Sequence, residues 1–192
     1  MAMKKNIFLT GVHSSGKTAV IKKVIEKLHV LSNGFYIEEE RIDFRKVGFV
    51  IRTLDGRQGY LAHRDIKSVF NIRKYGVSIN NIDTIAVPSI APVKTNIVVL
   101  DGIGPMECFS RSFKQAVKKA LNSSNIVIGT MTFGEDHFLT EIKNRIDIEI
   151  HEVTWSNRML LPDFIISRIS DLLSKCGKKI PPNEKQWENT VV

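Results

Sequence analysis

The chain is poor in cysteine and has no long apolar runs. Its only cysteines, Cys108 and Cys176, are too few and too far apart to indicate a disulfide framework or a cysteine metal site. No apolar run approaches the length of about 18 residues that a membrane-spanning helix needs. The first residues, Met1 to Lys5, lead into a short strand rather than a signal peptide. We therefore expect a reduced, cytoplasmic protein with no membrane segment.

Acidic residues are also outnumbered. The 28 lysines and arginines exceed the 20 acidic residues and give a net charge of +8, which favours anionic ligands in general. Lysine pairs such as Lys22-Lys23 and Lys118-Lys119 fall on predicted solvated faces without interleaved aromatic residues. This pattern favours solvation over a nucleic-acid groove, so nucleic-acid binding stays open without being favoured. The sequence indicates no oligomeric state.

A glycine-rich loop is the most informative feature that is present. Residues 11–18 read GVHSSGKT and fit the GxxxxGK[ST] pattern of a phosphate-binding loop, the Walker A motif. The apolar run 6–10 before the loop predicts a buried strand, and the apolar residues within 20–28 share one helical face. Phosphate-binding loops need this context because the phosphates bind backbone N–H groups at a helix N-terminus.

Each constrained position of this P-loop has a physical task. Gly11 and Gly16 lack a Cβ, so the backbone can come close to the phosphate oxygens. We expect Lys17 to contact the β- and γ-phosphates as a catalytic cation, and Thr18 to ligate Mg²⁺. His13 occupies a variable position, and we interpret it as part of the loop rather than as a catalytic group. The candidate nucleotide-binding residues of the loop are Gly11, Val12, His13, Ser14, Ser15, Gly16, Lys17 and Thr18.

An acidic partner for the loop ends a second apolar run. Asp101 follows residues 96–100, which include four consecutive apolar residues, as is typical of a strand covered on both faces of a parallel sheet. Ligands of such sheets bind at the carboxyl ends of the strands, where Asp101 and Gly11 would both lie. We interpret Asp101 as the Walker B aspartate, a catalytic residue and a ligand of Mg²⁺. The alternative is an aspartate that only caps a turn.

The order of the predicted elements indicates one α/β domain. Strands and helices alternate along a chain that is 43% hydrophobic, enough to bury a sizeable core. With the P-loop, this order predicts a three-layer P-loop NTPase fold with a mostly parallel central sheet. Alternating residues around Phe35 and Phe49, followed by Asp55-Gly56, predict an inserted β-hairpin region of two or three strands. We expect the domain at residues 1–176 and a polar C-terminal extension at 177–192.

Further elements follow from local patterns. A strand is predicted near 75–79, and a short helix over 81–86. A helix is predicted over 111–121, and a buried strand over 126–130. We expect one more strand around Ile148, Ile150 and Val153, and a last helix that begins at Pro162.

The chain resembles a known family, the cancer-related and thermophile-type nucleoside-triphosphatases, from Ile7 to about Leu173. The resemblance implies slow hydrolysis of nucleoside triphosphates with broad base preference. Besides the P-loop, the matching segments are GFYIEEER at 34–41, VGF at 47–49, TLDG at 53–56, DGIGPMECFS at 101–110, NR at 144–145, EVT at 152–154, NR at 157–158 and LPD at 161–163.

Two departures from the family pattern fall beside the Walker B aspartate. The family's glutamate directly after this aspartate is Gly102 here, and its lysine before Met-Glu is Pro105. A carboxylate near the γ-phosphate orients the attacking water, so a glutamate restored at position 102 would be expected to raise turnover. Glu107 is retained, either as the catalytic carboxylate or as a structural acceptor for loop N–H groups. Together with Asp101 and Gly102, the candidate nucleotide-binding residues here are Ile103 and Gly104.

Two arginines lie in segments where the resemblance persists. P-loop enzymes often use an arginine to stabilise negative charge on the γ-phosphoryl oxygens. Arg145 and Arg158 are the candidates for such an arginine finger. Either could instead cap a helix or pair with an acidic residue.

Three functions from different classes follow from these features. The first is Mg²⁺-dependent hydrolysis of ATP, GTP and other nucleoside triphosphates to diphosphate and phosphate. The second is a kinase that transfers the phosphoryl group to a nucleotide or another small acceptor. The third is a nucleotide-dependent binding module with weak catalysis. The specific reason to consider it is that Gly102 replaces the family's glutamate.

Overall fold

The structure is a computed structural model that describes residues 3–94, 97–132 and 136–175. The predicted extension 177–192 and Cys176 lie outside these residues, as does Asn96 at the start of the Walker B run. The strands are β1 (Asn6–Thr10), β2 (Ser32–Ile42), β3 (Arg45–Thr53), β4 (Gln58–His63), β5 (Asn71–Ile72), β6 (Tyr75–Val77), β7 (Ile97–Ile103), β8 (Ile126–Met131) and β9 (Ile148–Glu152). The helices are α1 (Lys17–Leu28), α2 (Ile79–Asn81), α3 (Val87–Ser89), α4 (Arg111–Asn122), α5 (His137–Lys143) and α6 (Leu161–Lys175).

All of these strands belong to one sheet in the order β5-β6-β4-β3-β2-β7-β8-β1-β9. The five strands from β2 to β9 at one side of this order pair in parallel, and the remaining pairs are antiparallel. Strands β1, β7 and β8 are almost fully buried because helices cover both of their faces, whereas β2 and β9 are only partly buried. The predicted α/β fold with a mostly parallel central sheet is therefore confirmed.

Alternate residues of the parallel strands point to two separate apolar clusters. In β1, Ile7 and Leu9 pack with α1 and α6 on one face, while Phe8 packs with α4 and α5 on the other. Phe113 of α4 meets Phe35 of β2 edge to face, with ring centroids 6.1 Å apart. The sheet thus lies between two helical layers, as predicted. None of the helices within the described residues is long and apolar enough to cross a membrane.

The antiparallel part contains the predicted insertion of two or three strands and the strand predicted near 75–79, and in addition the unpredicted strand β5. It comprises β3, β4, β6 and the two-residue strand β5, with β2 serving both parts of the sheet. The strand predicted near 75–79 ends at Val77, because the Ser78 side chain accepts a hydrogen bond from the Asn81 N–H and caps α2. The short helix predicted over 81–86 begins earlier, at Ile79. It continues through a π-helical turn, Ile82–Ala86, to the end of α3.

The ends of the parallel strands bring the candidate residues together. β1, β7, β8 and β9 run in the same direction, so their last residues meet at one edge of the sheet. We call this edge the carboxyl edge. The P-loop leaves β1 there, and Asp101 lies near the end of β7, paired in register with Thr130 of β8.

Candidate active site

The P-loop joins β1 to α1 and is held against the end of β9. The Val153 N–H donates to the Thr10 carbonyl at 2.8 Å. Gly11 has a φ of +138°, and a Cβ there would lie 2.6 Å from the Val153 carbonyl oxygen. Gly16, the residue before α1, has a φ of +101°. Both positions favour glycine because their positive φ is strained for other residues, and at Gly11 the close approach of Val153 also excludes a Cβ.

Lys17 folds back over the loop that precedes it. Its Nζ donates to the carbonyl oxygens of Gly11 at 2.9 Å and Val12 at 2.8 Å. Burial lowers the pKa of Lys17, and the negative charge of Asp101 opposes that change. The ammonium therefore lies where the loop curls, with carbonyl contacts that phosphate oxygens could replace.

Asp101 is 2% exposed, and only one of its two carboxylate oxygens has a hydrogen-bond partner. Its Oδ1 accepts a hydrogen bond from the Thr130 hydroxyl, whereas Oδ2 is buried and has no hydrogen-bond partner. Burial raises the pKa of Asp101, while the hydroxyls of Thr130 and Thr18 and the charge of Lys17 lower it. Buried polar atoms are normally satisfied, so an open carboxylate oxygen beside Thr18 is suited to a cation.

Glu107 is the second buried carboxyl group at this edge. It is 6% exposed, and its Oε2 accepts a hydrogen bond from the Gly104 N–H at 2.9 Å. Burial raises the pKa of Glu107 to about 7, with a further contribution from the charge of Asp101. Both predicted roles are therefore compatible with the geometry: Glu107 orders its own loop and is available as a proton acceptor near neutral pH.

Gly102 is tightly enclosed. A Cβ at this position would lie 2.5 Å from the Thr130 hydroxyl oxygen, the atom that hydrogen-bonds Asp101. A glutamate at position 102 would therefore displace the group that holds the Walker B aspartate. The expectation that such a substitution raises turnover is at odds with this packing.

A cavity of about 710 Å³ opens between the P-loop and the antiparallel part of the sheet. The P-loop and the segment 101–107 form its polar side. On the loop side, His13 Nε2 lies 3.0 Å from Glu39 Oε1 of β2, a contact that the sequence did not predict. The opposite wall is mostly apolar and is formed by Ile37, Phe49, Leu61 and Ile72.

The two arginine candidates lie in different places. Arg145 binds Asp147 through two hydrogen bonds of 2.9 and 2.8 Å, and the Asp147 carbonyl accepts the N–H groups of Lys5 and Asn6. Arg145 therefore lies at the start of β1 (Asn6–Thr10), and the P-loop follows the other end of this strand, which is about 13 Å long at about 3.3 Å per residue. This position argues against an arginine finger that acts within the same chain, because Asp147 holds the guanidinium at the opposite end of β1 from the P-loop.

Arg158 lies beside the P-loop. Its Cδ is 3.7 Å from where a Cβ of Gly16 would be, and its guanidinium carbon lies 4.1 Å from the centroid of the Trp155 ring. Of the two candidates, only Arg158 is near the carboxyl edge. No motif pointed to Trp155, since its packing on Arg158 appears only when the turn after β9 is folded.

The remaining P-loop residues differ in exposure. Val12 is 61% exposed, whereas Ser15 is fully buried with no hydrogen-bond partner for its hydroxyl oxygen. Ile103 is buried in the core, and Gly104 lines the cavity with Glu107. The structure thus brings the predicted residues together at one edge, with Arg145 as the exception.

The chain is similar to known nucleoside-triphosphatases. A family model described as NTPase matches residues 6–166. The nucleoside-triphosphatase THEP1 of Thermotoga maritima is 39% identical over 163 residues, covering 84% of this chain and 93% of the relative. The human cancer-related nucleoside-triphosphatase is 34% identical over 182 residues, covering 85% and 96%.

Two solved structures are similar in fold. The crystal structure of THEP1 from Aquifex aeolicus superposes with a TM-score of 0.78 at 28% identity, covering 85% of this chain and 98% of that chain. The solution structure of a human cancer-related nucleoside triphosphatase gives a TM-score of 0.71 at 33% identity, covering 85% and 97%.

Proposed function

The chain belongs to the nucleoside-triphosphatase family and is a hydrolase of nucleoside triphosphates, and we propose that it is a Mg²⁺-dependent enzyme of broad base preference. The observation that carries this proposal is the meeting of Lys17, Asp101 and Glu107 in one cavity. A phosphate-binding cation, an open carboxylate oxygen and a proton acceptor are the groups that this hydrolysis requires.

The phosphates are held by the P-loop. The loop's N–H groups and the start of α1 supply donors and positive potential without side-chain specificity. Lys17 exchanges its carbonyl partners for β- and γ-phosphate oxygens. Because these P-loop contacts recognise the phosphates and not the base, the chain accepts purine and pyrimidine triphosphates with similar affinity.

Thr18 and Asp101 are the residues that would hold Mg²⁺. A hydroxyl and a carboxylate are the hard oxygen ligands that this ion prefers, and Asp101 Oδ2 has no competing hydrogen bond. When bound, the ion neutralises negative charge on the β- and γ-phosphate oxygens.

Glu107 is the proposed proton acceptor, because no carboxylate follows Asp101 directly. A water oxygen attacks the γ-phosphorus, and its proton passes to the Glu107 carboxylate. The bond from the γ-phosphorus to the bridging oxygen breaks, and the diphosphate leaves. With a pKa of about 7, Glu107 is matched to proton transfer at neutral pH. If Glu107 is only structural, the chain is instead a binding module with weak catalysis.

One observation favours a kinase as the second candidate. The cavity continues past the phosphate-binding side to an apolar wall that includes Phe49 and Leu61. This wall has no task in hydrolysis, and it could hold the body of an acceptor whose hydroxyl replaces water.

The test is γ-phosphate release from a panel of nucleoside triphosphates, with and without Mg²⁺ and with candidate acceptors. We expect turnover of all bases within about tenfold, loss of turnover on Mg²⁺ removal, and no phosphorylated acceptor. Lys17→Ala should abolish turnover and weaken triphosphate binding about 10- to 150-fold, the value of one charge-assisted contact. Lys23→Ala, on the exposed side of α1, is the matched control. Unchanged turnover in Lys17→Ala would contradict the assignment.

A further inference from the structure

An exposed aromatic ring lies next to the P-loop, and hydrolysis as described above does not use it. Trp155 is 65% exposed, so it contributes little to the core. One face of its ring is covered by the Arg158 guanidinium, whose carbon lies 4.1 Å from the ring centroid. A large exposed aromatic side chain with an ordered cation on one face is a ready stacking surface.

The turn that carries Trp155 is firmly ordered. The Asn157 side chain accepts from the Thr154 N–H at 2.9 Å and donates to the Glu152 carbonyl at 2.8 Å. The Arg158 N–H donates to the Thr154 carbonyl at 3.1 Å. These bonds close the turn around Trp155, so the ring is presented by a fixed backbone.

The same turn is attached to the phosphate-binding edge. β9 pairs in parallel with β1, and Val153 is hydrogen-bonded to Thr10 directly before the P-loop. The Arg158 side chain then fills the space between Gly16 and the indole ring. A single arginine side chain therefore separates the ring from the loop that grips the phosphates.

We propose that Trp155 is the stacking platform for the base of the bound nucleotide. The inference rests on the proposed function, since the phosphates must lie on the P-loop for the base to reach the ring. Every base has a π-face, so stacking adds affinity without selecting one base. Trp155 thereby supplies affinity that requires a base but does not depend on which base it is. The other contacts of the enzyme recognise only phosphate and Mg²⁺.

The test compares ligands with and without a base. ADP, UDP and pyrophosphate are titrated calorimetrically with Mg²⁺, since none carries a γ-phosphate to hydrolyse. We expect Trp155→Ala to weaken ADP and UDP binding about 5- to 100-fold and to leave pyrophosphate binding unchanged. Trp155→Phe should retain most of the affinity. Met159→Ala, which removes another exposed side chain of the same segment, is the matched control.

A spectroscopic measurement complements the titrations. The chain has two tryptophans, so Trp187→Phe leaves Trp155 as the sole indole emitter. ADP and UDP should quench this emission, whereas pyrophosphate should not.

Equal ADP affinity in Trp155→Ala and wild type would refute the stacking role of Trp155 and leave the proposed function intact. Equal losses for ADP and pyrophosphate also overturn it, because the ring would then act through the P-loop. If wild type binds neither ADP nor pyrophosphate, both proposals fail.

Discussion

Glu107→Gln tests whether the buried carboxyl group at the carboxyl edge is held in its neutral form. Burial raises the pKa of Glu107 from 4.5 to about 7. Between these values the folded protein holds a proton that the unfolded chain has released, so folding stability falls as pH rises through this window. The stabilisation is fully present below about pH 4.5 and is lost above about pH 7. At about 1.36 kcal/mol for each tenfold change in the proton equilibrium, the loss amounts to about 3 kcal/mol.

A glutamine at this position cannot ionise, yet it keeps a side-chain oxygen that can accept the Gly104 N–H. The free energy of unfolding, measured in urea from pH 5 to pH 8, should therefore be similar for Glu107→Gln and wild type at pH 5. By pH 8 the variant should be more stable by about 2 to 3 kcal/mol. Titrating groups that do not interact with Glu107 cancel in the difference. Glu26→Gln, on the exposed side of α1, controls for loss of a surface carboxylate.

Parallel stability curves for Glu107→Gln and wild type would refute the argument, because they would mean that Glu107 ionises equally well in both states. The same variant reports on catalysis. If Glu107 accepts the proton from water, wild-type turnover rises with pH up to about 7, and Glu107→Gln loses about 10²- to 10⁴-fold in turnover. Full turnover in the more stable variant would assign Glu107 a structural role only.

Three further outcomes are expected. Arg158→Ala should lower turnover about 10³-fold or more with little change in triphosphate affinity, as single-turnover kinetics can measure, and an unchanged rate would exclude it as an arginine finger. Arg145→Ala should keep full turnover and lose about 1 kcal/mol in urea unfolding, and a selective loss of turnover would reinstate it. Gly102→Glu should lower thermal stability by about 1 to 3 kcal/mol and not raise turnover, because its Cβ meets the Thr130 hydroxyl; faster hydrolysis would show that the β7–β8 packing adapts.

The sequence predicts the parallel core and the P-loop well because both depend on local signals. The spacing of Gly11, Gly16 and Lys17 and the apolar run before Asp101 each define a strand end. In a parallel sheet, strand ends meet at one edge whatever the loops between them do. The fold class follows from this alternation and is confirmed, whereas the roles of the site residues stay predictions.

The two arginines show where sequence reasoning ends. Arg145 and Arg158 each follow an asparagine in a short loop beside β9, so their local signals are nearly the same. Arg145 precedes β9 and Arg158 follows it. The direction in which β9 runs therefore determines which of the two arginines lies at the carboxyl edge. The two hydrogen bonds from Arg145 to Asp147 argue against a role for Arg145 at the carboxyl edge, and their geometry depends on the folded turn.

The strand β5 was beyond prediction, and so were the start and the π-helical turn of the short helix predicted over 81–86. β5 has two residues and carries no periodicity, and the helical segment that begins at Ile79 is interrupted by a π-helical turn. The stacking of Trp155 depends on a turn that is closed by one hydrogen bond accepted and one donated by the Asn157 side chain, which no spacing rule encodes.

The double membership of β2 has a mechanical consequence for the cavity. Residues 32–36 pair with β7 as far as Asp101, and the strand then continues without a break into the hairpin that forms the cavity wall. Any rotation of this wall would strain the hydrogen bonds between β2 and β7, which position the Walker B aspartate. We therefore expect the wall to keep its position relative to the parallel part of the sheet. If the base stacks on Trp155 as proposed, adjustment to bases of different size falls to the exposed turn after β9.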